Sequence, residues 1–109
     1  MERTEDGRYI VVDGRRWRAT DPELDEPMAA QLRSHLGRAR SAVRTAETEG
    51  SRRAARDRVQ LAKEGLGERG EAWWELTLTA RRERARDRLA TLEGLGGPAD
   101  RRPRKGDGA

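Results

Sequence analysis

Cysteine, asparagine and phenylalanine are absent from this 109-residue chain, and histidine and tyrosine occur once each, as His35 and Tyr9. Without cysteine there is no disulfide framework, so a chain this small is held by packing or by self-association. The same gaps leave almost nothing for a nucleophile, a metal cage or a redox pair, and no catalytic, metal-binding or cofactor-binding residue is assigned. Glu64, Glu68, Glu71 and Glu75 remain as acid-base candidates, but neither a nucleophile nor a metal shell accompanies them. Apolar residues make up only 33% of the chain, and no run approaches the roughly 18 needed to span a bilayer. Met1 to Arg8 is mixed in charge, with no apolar segment of the signal-peptide kind. The expectation is a cytoplasmic chain with no membrane partner and no small-molecule substrate.

What is present favours helices. Ala, Glu, Lys, Leu and Arg supply 61 of the 109 residues, above the roughly 50% that accompanies long helices when a heptad-like period is also present. Leu, Ile and Val together number 15, so the core is thin and its helical seams must be rich in small residues. The expected fold is mainly α, a single small domain over 1–93. An N-terminal β-hairpin (8–19) docks on an antiparallel helical hairpin (26–49 and 51–66), and a third helix (78–93) follows a Trp-Trp loop. Residues 94–109, rich in Gly, Pro and Arg, read as a flexible basic tail.

The hairpin rests on Asp13-Gly14 between two β-branched and aromatic runs, because a type I′ turn needs positive φ at both central residues. A two-residue loop there places Val12 opposite Arg15, Ile10 opposite Trp17 and Tyr9 opposite Arg18. Ile10, Val12 and Trp17 then share one face, expected to be buried and to dock the hairpin on the helices, while Arg18 covers the Tyr9 ring.

In the middle of the chain Asp25-Glu26-Pro27 reads as a helix start. Leu32, Leu36, Ala39, Val43 and Ala46 recur at steps of 4, 3, 4 and 3, and after a break at Gly50-Ser51 the seam resumes with Ala55, Val59, Ala62 and Leu66. A break that short folds the second helix back along the first. Pivoting at Gly50 pairs Ala46 with Ala55, Val43 with Val59, Ala39 with Ala62 and Leu36 with Leu66. Gly37, inside the first helix, implies close approach of another element to offset its cost of about 1 kcal/mol.

Gly65-Leu66-Gly67-Glu68-Arg69-Gly70 matches G-x-G-x-x-G letter for letter. A dinucleotide fingerprint needs a strand to enter and a helix to leave, whereas here a helix enters, so the glycines are assigned to ending that helix. Trp73 and Trp74 follow; one anchors the loop near Trp17 and the other is half exposed. Thr77 or Thr79 caps the third helix, whose apolar positions are Leu78, Ala85, Leu89 and Leu92.

Charge is uneven despite a net value of +4. Residues 1–27 carry −3, 28–66 carry +5, 67–77 carry −2, and 78–93 and the tail carry +2 each. The basic middle segment supplies Arg38, Arg40, Arg44, Arg52 and Arg56 as candidate phosphate contacts.

The strings Arg8-Tyr9-Ile10-Val11-Val12-Asp13-Gly14-Arg15-Arg16-Trp17-Arg18-Ala19-Thr20-Asp21-Pro22 and Val59-Gln60-Leu61-Ala62-Lys63-Glu64-Gly65-Leu66-Gly67-Glu68-Arg69-Gly70, with Trp73-Trp74, resemble a family of small uncharacterised proteins of GC-rich bacteria. Some of its members are labelled automatically as Tol-type biopolymer transporters, and some continue into a winged-helix-like domain. The resemblance covers residues 8–76 and implies that hairpin, helix pair and Trp-Trp loop form one inherited unit; it supplies no catalytic residues. The leading expectation is a non-enzymatic helical module for protein interaction or scaffolding, with a protein partner or a second copy of itself meeting Trp17, Arg16, Arg18, Trp73 and Trp74. The alternative is a nucleic-acid-associated protein that grips the phosphate backbone through the Arg-rich helical hairpin.

Overall fold

The computed structural model describes residues 2–95. Three short strands, β1 (Glu2–Arg3), β2 (Tyr9–Val12) and β3 (Arg15–Arg18), form an antiparallel sheet in the order β1-β2-β3. Three helices follow: α1 (Glu26–Thr45), α2 (Glu49–Gly65) and α3 (Leu78–Leu95), with a 3₁₀ turn at Trp73–Glu75 before the last. No helix among the described residues is long and apolar enough to cross a membrane.

The β2–β3 hairpin has the expected register, Tyr9 opposite Arg18, Ile10 opposite Trp17 and Val12 opposite Arg15. Asp13 and Gly14 have φ of 51° and 79°, the two left-handed positions of a type I′ turn. β1 is an addition to the expected pair of strands. It is folded back by a loop in which Thr4 and Asp6 bond the backbone N–H groups of Tyr9 and Arg8.

Other details depart from expectation. The face carrying Ile10, Val12 and Trp17 is not buried: Val12 and Trp17 are 37% and 39% exposed. The hairpin is fastened instead by the backbone and side chains that follow it, as described below. Tyr9 is covered by Arg16 (4.2 Å to the ring centroid), its diagonal neighbour, rather than by Arg18, which extends to Trp74 and to the Gly70 carbonyl.

α1 ends at Thr45, not at 49, and the break occupies residues 46–48. Thr48 wins the cap because its hydroxyl accepts from Ser51 N–H while Ser51 Oγ accepts from Thr48 N–H, which draws Glu49 and Gly50 into the first turn of α2. The earlier pivot shifts the pairing by about one helical turn: position 65, not 69, lies against Leu32. The core comprises Ala29, Leu32, Leu36, Ala62, Leu66, Ala85, Leu89 and Leu92 from all three helices, whereas Val43 and Val59 are only half-buried.

Gly65 makes that core possible. A Cβ there would stand 2.9 Å from Leu32 Cδ2 and 3.2 Å from Arg88 Cβ, so the three helices converge on a position without a side chain. Gly37, by contrast, faces open space, and no close approach explains it. The glycine string ends α2 as expected: Gly67 N–H bonds Glu64 O and Glu68 N–H bonds Lys63 O, with Gly67 at φ 85°. Thr77 caps α3 through Ala80 N–H, and α3 continues through Gly94 and Leu95, which had been assigned to the tail. The remainder of the expected tail lies outside the described residues.

Candidate functional site

The segment after β3 locks the sheet to the helices. Asp21 is buried at the α2 C-terminus, its N–H bonded to Leu66 O, and both carboxylate oxygens receive Arg81 of α3 at 2.7 and 2.9 Å. This bidentate pair holds Arg81 above normal basicity, chiefly through its hydrogen bonds to Asp21. Trp73 lies beneath Arg81 (5.3 Å) and donates its indole N–H to Ala19 O at 3.0 Å. Thr20 donates to Glu68 Oε2 (2.6 Å), and Lys63 Nζ stands 3.6 Å from Glu68 Oε1. The ties from the chain after the hairpin run from residues 19–21, and β3 itself adds Arg18 on the Gly70 carbonyl and Trp17 beside Lys63 of α2.

Two cavities result. One, about 570 Å³, lies between the sheet and α2, with Ile10, Val12 and Trp17 on one wall and Lys63, Glu68, Arg40 and Arg69 on the other. The second, about 620 Å³, runs along the α1–α2 groove between Val43 and Val59 and is lined by Arg40, Arg44, Arg56, Asp57, Gln60 and Arg69. Arg40 and Arg69 belong to both, so the cavities adjoin, and the pair is called the trough. Seven cationic side chains line it against two carboxylates, Asp57 and Glu68.

Among the described residues four arginines form salt bridges and the others do not. Arg33, Arg52, Arg81 and Arg88 pair with Glu26, Glu49, Asp21 and Glu64. Arg40, Arg44, Arg56 and Arg69 form no salt bridge among the described residues, and they converge on the trough. Lys63 is buried at its junction. Burial is the main cause that lowers its pKa, and Arg69 and Arg40 add to the effect while Glu68 opposes it. At the junction Arg40, Lys63 and Arg69 stand against the single carboxylate Glu68, a surplus of positive charge that an anion relieves.

Of the expected phosphate contacts, Arg40, Arg44 and Arg56 are brought together. Arg38 is turned away, bonded to Ser34 Oγ and His35 Nδ1, and Arg52 is spent bracing the helix break through Glu49 and Ala46 O. Arg69, Lys63 and Arg3 were missed. Arg69 was hidden in the glycine string, which sequence alone assigns only a turning role. Of the expected partner surface, Trp73 is buried at 8% exposure and thus withdrawn into the core. Trp74 is half-buried, packed edge-on against Trp73 and Tyr9 and overlaid by Arg8. Arg16 and Arg18 are engaged on Tyr9 and Gly70, which leaves Trp17 as the exposed aromatic, flanked by Arg15 at 4.6 Å.

The acid-base candidates are dispersed. Glu64 accepts from Gln60 and Arg88, and Glu68 is held by Thr20 and Lys63. Among the described residues no group of three or more His, Cys, Asp or Glu side chains is placed to hold a metal ion. No family model, curated protein or solved structure matches the chain.

Proposed function

We propose that the protein is a non-enzymatic binding module whose partner is nucleic acid, gripped by its phosphate backbone along the trough. The observation that carries this is the convergence of Arg40, Arg44, Arg56 and Arg69, none of them in a salt bridge among the described residues, on one concave surface that holds a single carboxylate, Asp57. A cluster of like charges destabilises the free protein, and the natural compensation is a partner that brings the opposite charge in a regular series. A cytoplasmic location, where nucleic acid is within reach, belongs to the same proposal.

The protein-partner reading ranks second. It is favoured by the exposure of Trp17, since Trp and Arg are the residue types most enriched at interface hot spots. It is weakened by the burial of Trp73 and by the charge around Trp17, because hot-spot tryptophans sit in dry apolar pockets.

The test is a titration of fluorescently labelled oligonucleotides at about 50 and about 200 mM salt. Binding at the lower salt that weakens at the higher, and that is lost on replacing Arg40, Arg44, Arg56 and Arg69 together by Ala, is the expected result. Absence of binding at the lower salt to either single or double strands overturns the proposal and leaves the protein-partner reading in its place.

A further inference from the structure

We infer that the trough takes an unpaired strand, with one base stacked on Trp17 and the adjoining phosphate held where Arg40, Lys63 and Arg69 meet. This rests on the nucleic-acid reading above and specifies the form of nucleic acid. The trough is two-sided in its chemistry. Ile10, Val12 and Trp17 give the sheet wall apolar surface beside Arg3 and Arg18, and the facing wall carries Arg40, Lys63 and Arg69 with Glu68. A duplex presents phosphates and groove edges on its outside and hides the faces of its bases, so it would leave the apolar wall unused. An unpaired nucleotide offers both chemistries at once, a flat π-face and an anionic phosphate, which is the combination that single-strand grooves recognise.

Size and continuity agree with this occupant. Each cavity, about 570 and about 620 Å³, is within the range of pockets that hold small molecules, and the shared residues Arg40 and Arg69 place them side by side. A free nucleotide would fill one and leave Arg44 and Arg56 without an anion, whereas a strand continues into the second. Trp17 is also the aromatic that the core has not consumed. Trp73 is buried and Trp74 is walled by Tyr9, Trp73 and Arg8. Arg15 (4.6 Å) and Lys63 (5.7 Å) both stand over the Trp17 ring; Arg15 is exposed and has no salt bridge among the described residues, and Lys63 is one of the cations assigned to the phosphate. Base stacking is stronger than an exposed cation–π contact, so Arg15 gives way or closes over the base from outside.

The experiment compares an unlabelled oligothymidylate of about 12 nucleotides, a mixed-sequence duplex of the same length, thymidine monophosphate and polyglutamate. It is followed by tryptophan fluorescence and by competition against a labelled strand at about 50 mM salt. We expect the single strand to bind at least tenfold more tightly than the duplex and to quench fluorescence. Trp17→Ala should weaken the single strand about tenfold and leave the duplex unchanged, while Trp17→Phe keeps most of the affinity and loses most of the quenching. Far-UV circular dichroism of both variants should match that of the parent. Equal or tighter binding of the duplex, or indifference of the single strand to Trp17→Ala, sinks the inference but leaves the backbone-binding function intact. Saturation by thymidine monophosphate at the same concentration as the strand assigns the site to a free nucleotide, and polyglutamate competing equally well assigns it to an acidic protein; either overturns the unpaired strand. Failure of both nucleic acids to bind removes the function and the inference together.

Discussion

At the scale of single residues, a few polar contacts decide what the thin core cannot. Asp21 is a buried carboxylate whose oxygens are both filled by Arg81, and such a pair is costly to break because the survivor is left uncompensated. Arg81→Ala is expected to lower unfolding stability by about 3 kcal/mol in urea titrations followed by tryptophan fluorescence. Arg81→Lys should lie between parent and Ala, since an ammonium keeps the charge but not the two-pronged geometry. His35 gives a pH dependence. Burial first and Arg38 second hold its pKa below the ordinary imidazole value, and the Arg38 guanidinium bonded to Nδ1 requires that nitrogen unprotonated. The unfolded chain therefore takes up the proton more readily than the folded one below about pH 6.5. The contribution is intact above that pH and declines as the solution is acidified toward the lower folded value. His35→Gln should flatten this part of the urea-midpoint profile, and an unchanged slope would remove His35 as its source.

At the scale of elements, local signals set the ends of helices more firmly than seams do. The period of Leu32, Leu36 and Ala39 marks the buried face of α1, but the break falls at 46–48 and not at Gly50-Ser51, because the capping box formed by Thr48 and Ser51 outweighs the glycine. Thr48→Ala is expected to cost about 1 kcal/mol, read as a lower urea midpoint. Gly37 offers the converse. It lies in an exposed stretch of α1 with open space where a Cβ would be, so Gly37→Ala should raise stability by up to about 1 kcal/mol through helix propensity alone. The same change at Gly65 should destabilise, since its Cβ would enter the Leu32 side chain. That contrast between two helical glycines is invisible in sequence, where each stands beside a leucine among charged residues.

At the scale of the whole molecule, the sheet and the helical hairpin enclose a concave basic surface because the sheet is tied by residues 18–21 and by Tyr9 against Trp74, while its Ile10, Val12 and Trp17 face lines a cavity. The four groove arginines predict a definite electrostatic signature. With about four phosphates neutralised on a single strand, the logarithm of the binding constant should fall against the logarithm of salt with a slope of about −3, and each Arg→Ala in the groove should reduce that slope by about 0.7. Arg52→Ala and Arg38→Ala should leave the slope unchanged, because neither side chain lines the trough. Equal effects from all six would mean that the charge of the hairpin acts as a diffuse field without a site.

The chain's own order of residues determined what depends on neighbours along the backbone: the type I′ turn at Asp13-Gly14, the helical character of residues 26–65, with one break, and 78–95, the ending of α2 by the glycines at 65–70 and the basicity of the helical hairpin. Those features are carried by torsion preferences, hydrophobic period and formal charge, all of which are local. Only the tertiary structure decided which arginines are paired and which are left facing a common space, and which tryptophan the core consumes. These outcomes rest on contacts between residues up to about 60 positions apart, such as Asp21 with Arg81 and Ala19 with Trp73, and no period or propensity within a segment encodes such distances.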